Sequence, residues 1–203
     1  MAPSSARNFF GLLSAEPFIA VLIGPGGVGK GTLARQLVAD DPALWLSKSW
    51  TTRPVRANED GSEYHFVDRE TFERAIDDDT FLEWAEFHGN LYGTPRPRAP
   101  EGAEVLLEIE VQGAEQVLER VPSSVVFLIV APSIEQLEGR LRGRGDSDEH
   151  VTKRLASAPG EMARGQKIAR YVIVNDDVRQ ASGEILSILE ELRQQRRTPS
   201  IKD

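Results

Sequence analysis

Lys30 follows a stretch of four glycines, Gly24-Pro25-Gly26-Gly27-Val28-Gly29-Lys30. So few Cβ atoms let backbone N–H groups converge on an anion, and the lysine adds a point charge within reach of β and γ phosphates. In the usual pattern, G-x-x-x-x-G-K-[ST], a hydroxyl comes next. Here Gly31 intervenes and the hydroxyl is Thr32, so a contact from Thr32 to Mg²⁺ is expected to run through water. Residues 18 to 23 ahead of the loop are an unbroken apolar run suited to a buried parallel strand. Leu33, Leu37 and Val38 behind it keep helical spacing, and Pro42 stops the helix just beyond Asp40. A strand, a glycine turn and a helix start carrying partial positive charge together predict a site for a nucleoside triphosphate. The plainer reading is a glycine-rich turn with no ligand.

A second group of chemically capable residues follows. Arg53 and Arg56 flank Pro54, with Ser49, Thr51 and Thr52 before them and Tyr64 after. Two arginines stiffened by a proline can aim forked donors at one phosphate, or they can be unrelated charges on a solvated loop. Glu83 stands among bulky apolar residues in Phe81-Leu82-Glu83-Trp84-Ala85-Glu86-Phe87. An amphipathic element with one exposed face explains it equally well. Asp68 is placed to cap a helix carrying Phe72, Ile76 and Phe81-Leu82 on its apolar face.

Residues 104 to 110 read as a further core strand that ends in two acids, Glu108 and Glu110. Acids there are costly unless paired or close to a cation, whereas an exposed strand edge would carry them freely. Residues 125 to 130 form another buried strand. Ser133 caps the next helix, with Leu137 and Leu141 inward. That helix delivers Arg140, Arg142 and Arg144, and Arg154 comes ten residues after Arg144. They could meet phosphates or simply lace a helix surface. Pro159-Gly160 predicts a break, with Ser157 capping a restarted helix. Asn175 follows the last strand, residues 171 to 174; its amide can donate and accept toward a base edge, or act as a turn residue. A helix from about 178 to 193 closes the chain through Ile185, Leu186, Leu189 and Leu192, and residues 194 to 203 read as frayed.

The 203 residues suit one domain, with 1 to 17 as a disordered extension and 196 to 203 as a tail. A net charge of −8 argues against a general nucleic-acid or membrane-surface role. With no cysteine there is no disulfide or thiolate metal site, and three scattered histidines argue against zinc. No apolar stretch approaches the roughly 18 residues of a membrane span. A cytoplasmic protein is expected.

The order of several motifs resembles the guanylate kinases: the glycine loop, then S-x-T-T-R-P-x-R from Ser49 to Arg56, E-x-G-x-x-Y-x-F ending at Phe66, F-L-E-W-A at 81 to 85, and G-N-x-Y-G-T-P at 89 to 95. LLEIEVQGA, RLRGRG and VIVNDD extend the likeness over residues 18 to 195. The resemblance implies an α/β P-loop kinase core with a parallel sheet (18–47, 99–135 and 169–195), an inserted GMP-binding region (48–98) and a lid (136–168). It implies transfer of the γ-phosphoryl group of ATP to GMP with Mg²⁺. Gly24, Pro25, Gly26, Gly27, Val28, Gly29, Lys30, Gly31 and Thr32 would hold ATP, with Arg144 and Arg154 closing over its phosphates and Asn175 beside the adenine. The GMP phosphate would meet Arg53, Arg56, Tyr64 and Tyr92. The guanine would meet Ser49, Glu83 and Thr94, because an ionised carboxylate accepts from N1–H and the exocyclic amine while hydroxyls donate to O6. Glu108 and Glu110 would serve the metal or the guanosine, in an order left open; where the family usually has aspartate, this chain has Glu110. Lys30, Arg53, Arg144 and Arg154 would be the catalytic set. Two other readings compete. One is a guanylate-kinase-like module that binds peptides without catalysis, and the other is a kinase of a different phosphorylated small molecule.

Overall fold

In chain order the elements are β1 (Ile19–Ile23), α1 (Lys30–Asp40), β2 (Leu44–Leu46), β3 (Trp50–Thr51), β4 (His65–Phe66), α2 (Arg69–Asp77), β5 (Phe81–Phe87), β6 (Asn90–Pro95), β7 (Glu104–Glu108), α3 (Val111–Arg120), β8 (Val125–Val130), α4 (Ile134–Gly143), α5 (Asp148–Ile168), β9 (Tyr171–Val174) and α6 (Val178–Arg197). The computed structural model describes residues 18–55, 61 and 64–197. The extension expected at 1 to 17, and Arg56, lie outside the described residues. Alternating strands and helices with parallel core strands make this the α/β architecture expected from the sequence.

The chain divides into two compact units, one of residues up to Ile23 together with Ala43–Val126, the other of Gly24–Pro42 together with the chain from Phe127 on. In the first unit β7 lies between β2 and β1, all parallel, with Val21 opposite Leu107 and Leu46 opposite Leu106. Every residue of β1 is fully buried, which is why it reads as a continuous apolar run without alternation. A second sheet, in the order β4-β3-β6-β5, carries the residues 48 to 98 region. Strands β5 and β6 are joined at His88-Gly89, both with positive φ (50° and 79°) as a two-residue hairpin turn demands. Under this sheet Phe72 stacks on Phe81 at 4.6 Å within a cluster with Ala75 and Leu91. The Asp68 cap forms, its carboxylate accepting from Thr71 N–H at 2.7 Å. Phe81 and Leu82 belong to β5, and not to the apolar face of α2 as expected. Helix α2 stops at Asp77, and a run of bulky side chains fits a strand as well as a helix until pairing with β6 decides it.

In the second unit β8 continues alongside β9 in parallel, with Phe127 opposite Tyr171 and Val130 opposite Val174. Helix α6 buries Ala181, Ile185, Leu189 and Leu192, and Arg193 forms an ion pair with Asp41 at the end of α1. It runs to Arg197, four residues past the expected end and two into the expected tail; Arg196 and Arg197 in its last turn suit the negative helix terminus. The break expected at Pro159 is absent, and α5 is continuous from Asp148 to Ile168. Val151, Ala158 and Gly165 are buried one heptad apart, so a single packed seam runs past the proline on both sides. That packing works against the lost hydrogen bond and the crowding of the proline ring, which together cost about 3 kcal/mol. Ser157 does not cap a new helix; its hydroxyl lies 3.1 Å from the Arg154 carbonyl and 2.7 Å from Glu161 Oε1. No helix among the described residues is long and apolar enough to cross a membrane.

Candidate active site

Two sets of side chains gather, one in each unit. In the second unit the glycine loop leads into α1. Gly24 has a φ of 142°, and a Cβ there would stand 2.2 Å from the Ile129 carbonyl oxygen, so only glycine fits against β8. Gly29 caps α1 in the left-handed region (φ 93°), and a Cβ there would meet the Asn175 amide at 2.6 Å. Lys30 is the first residue of α1 and 6% exposed; its ammonium donates to the Gly24 carbonyl at 2.6 Å, spanning the loop. Thr32 is exposed on the same helical turn.

Asn175 is 2% exposed, and its amide nitrogen donates to the Val28 carbonyl at 2.8 Å, which braces the loop. The Asn175 Oδ1 is buried with no hydrogen-bond partner among the described residues. Arg140 also reaches the Val28 carbonyl (3.3 Å) and the Asp176 carbonyl (3.4 Å). Arg142 instead pairs with Glu138 and Asp148 on an exposed face, the bland alternative for such arginines. Arg144 and Arg154 converge on one carboxylate: Asp146 Oδ2 lies 2.9 Å from Arg144 Nη2 and 3.8 Å from Arg154 Nε. The Arg154 guanidinium lies against the loop itself, since a Cβ on Gly26 would be 1.9 Å from its Nη1.

In the first unit a cleft partly open to solvent is bounded by Ser49, Tyr64, Glu83, Tyr92, Glu108 and Glu110, with Ala85, Gly93 and Ile109. Glu83 sits on β5, 3% exposed. Its Oε1 accepts the Thr94 backbone N–H at 2.9 Å, and the Thr94 and Ser49 hydroxyls are 3.2 Å apart. Strand pairing puts Glu83 opposite Thr94 and so brings residues 83 and 94 together. Burial pushes the Glu83 carboxyl up to about 7; Glu110 adds to this, while the Thr94 hydrogen bonds and Arg120 oppose it. Glu108 ends β7, and Glu110 is the residue that precedes α3, so both acids expected in the metal or guanosine region face this cleft.

Arg53, 8% exposed, donates to the Pro54 carbonyl and lies 5.4 Å from the ring centroids of Tyr64 and Phe66. Tyr64 and Tyr92 meet edge to face at 6.1 Å. The carboxylate of Glu108, with burial and Glu110, raises the Tyr64 phenol far above its ordinary value, so it stays a hydrogen-bond donor. The structure therefore brings together Ser49, Arg53, Tyr64, Glu83, Tyr92, Thr94, Glu108 and Glu110 in one unit, and the loop, Lys30, Arg144, Arg154 and Asn175 in the other.

Sequence reasoning passed over four residues. Asp146 ties Arg144 and Arg154 together, and its place two residues after Arg144 was the available signal. Gly113 stands against Glu83, and a glycine early in an otherwise helix-forming run marked it. Gln116 and Arg120 hydrogen-bond the backbone of β5 and carried no local signal.

Comparison with known proteins identifies the family. A family profile described as Guanylate kinase matches residues 17–192. The guanylate kinase of Bordetella pertussis is 42% identical over 192 residues, 92% of this chain and 89% of that protein. The guanylate kinase of Synechocystis is 46% identical over 184 residues, 88% of this chain and 96% of that protein. Among solved structures, a guanylate kinase from Anaplasma phagocytophilum superposes with a TM-score of 0.69 at 34% identity, covering 88% of this chain and 87% of that one. A shikimate kinase from Acinetobacter baumannii, 13% identical with a TM-score of 0.51, shares the fold alone. A glycine loop closed by Lys30, an acid buried beside two hydroxyls, and a match along nearly the whole chain together establish that this protein belongs to the guanylate kinase family.

Proposed function

We propose that this chain transfers the γ-phosphoryl group of ATP to GMP, giving ADP and GDP, in the cytoplasm. The observation that carries the reading is Glu83: a carboxylate buried in a cleft is an acceptor-only group, and guanine offers it two donors where adenine offers none at N1. Ser49 and Thr94, already within hydrogen-bonding distance of each other, supply hydroxyls for O6. Arg53, Tyr64 and Tyr92 supply the cation and phenol donors for the monophosphate, and Arg56 joins them in this reading. The loop amides and Lys30 hold the β and γ phosphates of ATP. Residues 136 to 168 act as the lid, whose Arg144 and Arg154 neutralise charge that spreads over the transferring group. No general base is needed, because a phosphate monoester is already largely ionised at neutral pH.

Among the described residues, no three His, Cys, Asp or Glu side chains converge to hold a metal ion. A divalent cation bound here would take most of its ligands from phosphate oxygens and water, as Mg²⁺ does in such sites. Thr32, exposed in the first turn of α1, fits a water-mediated place beside it. Glu108, half-buried at the end of β7, is the candidate acid. When bound, Mg²⁺ neutralises phosphate charge.

A coupled assay with ATP and each of GMP, AMP, UMP and CMP tests the assignment. Turnover with GMP alone is expected; equal turnover of AMP overturns it. Replacing Arg144 by alanine is expected to lower kcat about 100-fold while moving KM for ATP less than about threefold, because its contact grows as charge develops. The opposite split would make it a binding residue.

The Glu83 carboxyl, raised to about 7, predicts a pH dependence. Below that pH the protonated form loses acceptor capacity, so KM for GMP climbs as pH falls, approaching about tenfold per unit. The GMP phosphate titrates near pH 6 as well, but E83Q carries that titration alone. The ratio of KM for GMP in the native protein to that in E83Q is expected to rise below pH 7. A flat ratio from pH 5.5 to 8 contradicts the acceptor role.

A further inference from the structure

Helix α3 has a glycine as its third residue, Gly113, where alanine would hold a helix better. A Cβ built there would stand 2.2 Å from Glu83 Oε2 and 2.8 Å from Glu83 Cδ. The carboxylate has little freedom to retreat, since its other oxygen takes the Thr94 N–H at 2.9 Å and the residue is 3% exposed. The same helix holds the strand on either side of Glu83. Gln116, three residues on, donates to the Trp84 carbonyl at 2.7 Å and accepts the Trp84 N–H at 3.3 Å. Arg120, seven residues on, donates to the carbonyls of Leu82 and Phe81. Positions 113, 116 and 120 share one helix face. That face therefore fixes residues 81, 82 and 84 while leaving a gap of one methyl group for the carboxylate between them.

We infer that Gly113 is a positioning residue for purine selection: its missing side chain sets where the Glu83 carboxylate stands in the cleft. The inference rests on the reading of Glu83 as the base acceptor. A methyl group at 113 pushes that carboxylate out of line with the guanine N1–H and exocyclic amine, and leaves the triphosphate residues of the other unit untouched.

The test uses the full chain as wild type, G113A, E83A and the double variant G113A/E83A. G113A is expected to raise KM for GMP about tenfold or more, with KM for ATP unchanged within about twofold. Its preference for GMP over inosine monophosphate, which lacks the exocyclic amine, is expected to fall in parallel. G113A is also expected to lower Tm by about 4 °C or more through overpacking. In the E83A background the same substitution has nothing to meet, so Tm stays level or rises with the better helix former. If G113A alone fails to fold and the double variant folds, the contact is supported by that result. Wild-type KM for GMP and wild-type preference in G113A overturn the inference, as does an equal fall in Tm, or equal failure to fold, in the E83A background. A wild-type protein that does not prefer GMP to AMP overturns the proposed function instead, and the two Tm arms still judge the contact between residues 83 and 113.

Discussion

Replacing Lys30 by alanine is expected to lower kcat/KM for phosphoryl transfer about 1,000-fold and to leave the fold in place. The ammonium is nearly enclosed, spanning the loop from the first residue of α1 to the Gly24 carbonyl. In this position it adds a full positive charge where loop amides supply only partial ones. A preorganised donor in such a site contributes a factor of about 10² to 10³, and a charged group stands at the upper end. The structural consequence is small, because the glycines at 24 and 29 keep the loop shape through backbone geometry and packing against Ile129 and Asn175. A Tm close to that of the parent, together with steady-state rates, checks both halves. Near-normal turnover in K30A would remove the loop from the mechanism.

The Glu83→Gln variant is expected to raise KM for GMP about 30-fold while KM for ATP stays level. Glutamine keeps the shape and can still accept from Thr94, but it turns a donor toward a base edge that itself donates. Losing charge-assisted hydrogen bonds of this kind costs about 2 kcal/mol. The same variant is expected to be more stable than the parent at pH 8. The folded carboxyl, near 7, lies above its ordinary 4.5. The folded state therefore holds the proton longer than the unfolded one. The stability from this group is complete below pH 4.5 and is lost as pH rises through 7, by roughly 3 kcal/mol. Glutamine does not ionise and escapes that loss. A gain in urea midpoint at pH 8 that shrinks toward pH 4.5, alongside weaker GMP binding, is the expected pair of results. It marks an acid retained for recognition at a cost in stability. Unchanged GMP affinity in E83Q would exclude the base-reading role.

The parts legible from the chain alone were those whose causes are local. The phosphate loop is contiguous, and its glycines, lysine and flanking periods announce strand, turn and helix within about twenty residues. The caps at Asp68 and Ser133 each act on an N–H three residues away, and both formed as read. The resemblance supplied the membership of the second cluster; the structure lines one cleft with Ser49, Tyr64, Glu83 and Tyr92, and sets Thr94 against Glu83 and Arg53 beside Tyr64.

Misreadings arose where a local rule met a distant partner. Phe81 and Leu82 fit a helix or a strand until β6 pairs with them. Pro159 reads as a stop, yet the seam through Val151, Ala158 and Gly165 keeps α5 whole. Of the arginines at 140, 142, 144 and 154, sequence spacing cannot say which is solvated. The fold sends Arg142 to surface acids, Arg140 to the Val28 carbonyl, and the other two to Asp146.

The order of residue types along the chain determined that phosphates could be bound, that the core would be parallel strands with helices, and which family the chain would join. Backbone geometry and short-range hydrogen bonds act within a few residues, so those features are written where they occur. Only the tertiary structure decided that Glu83 is buried with one oxygen on Thr94 and the other against Gly113, and that Asp146 ties two arginines together. Desolvation and steric contact depend on residues brought close from far along the sequence, and an acid acquires its raised affinity for a proton only after those neighbours have excluded water.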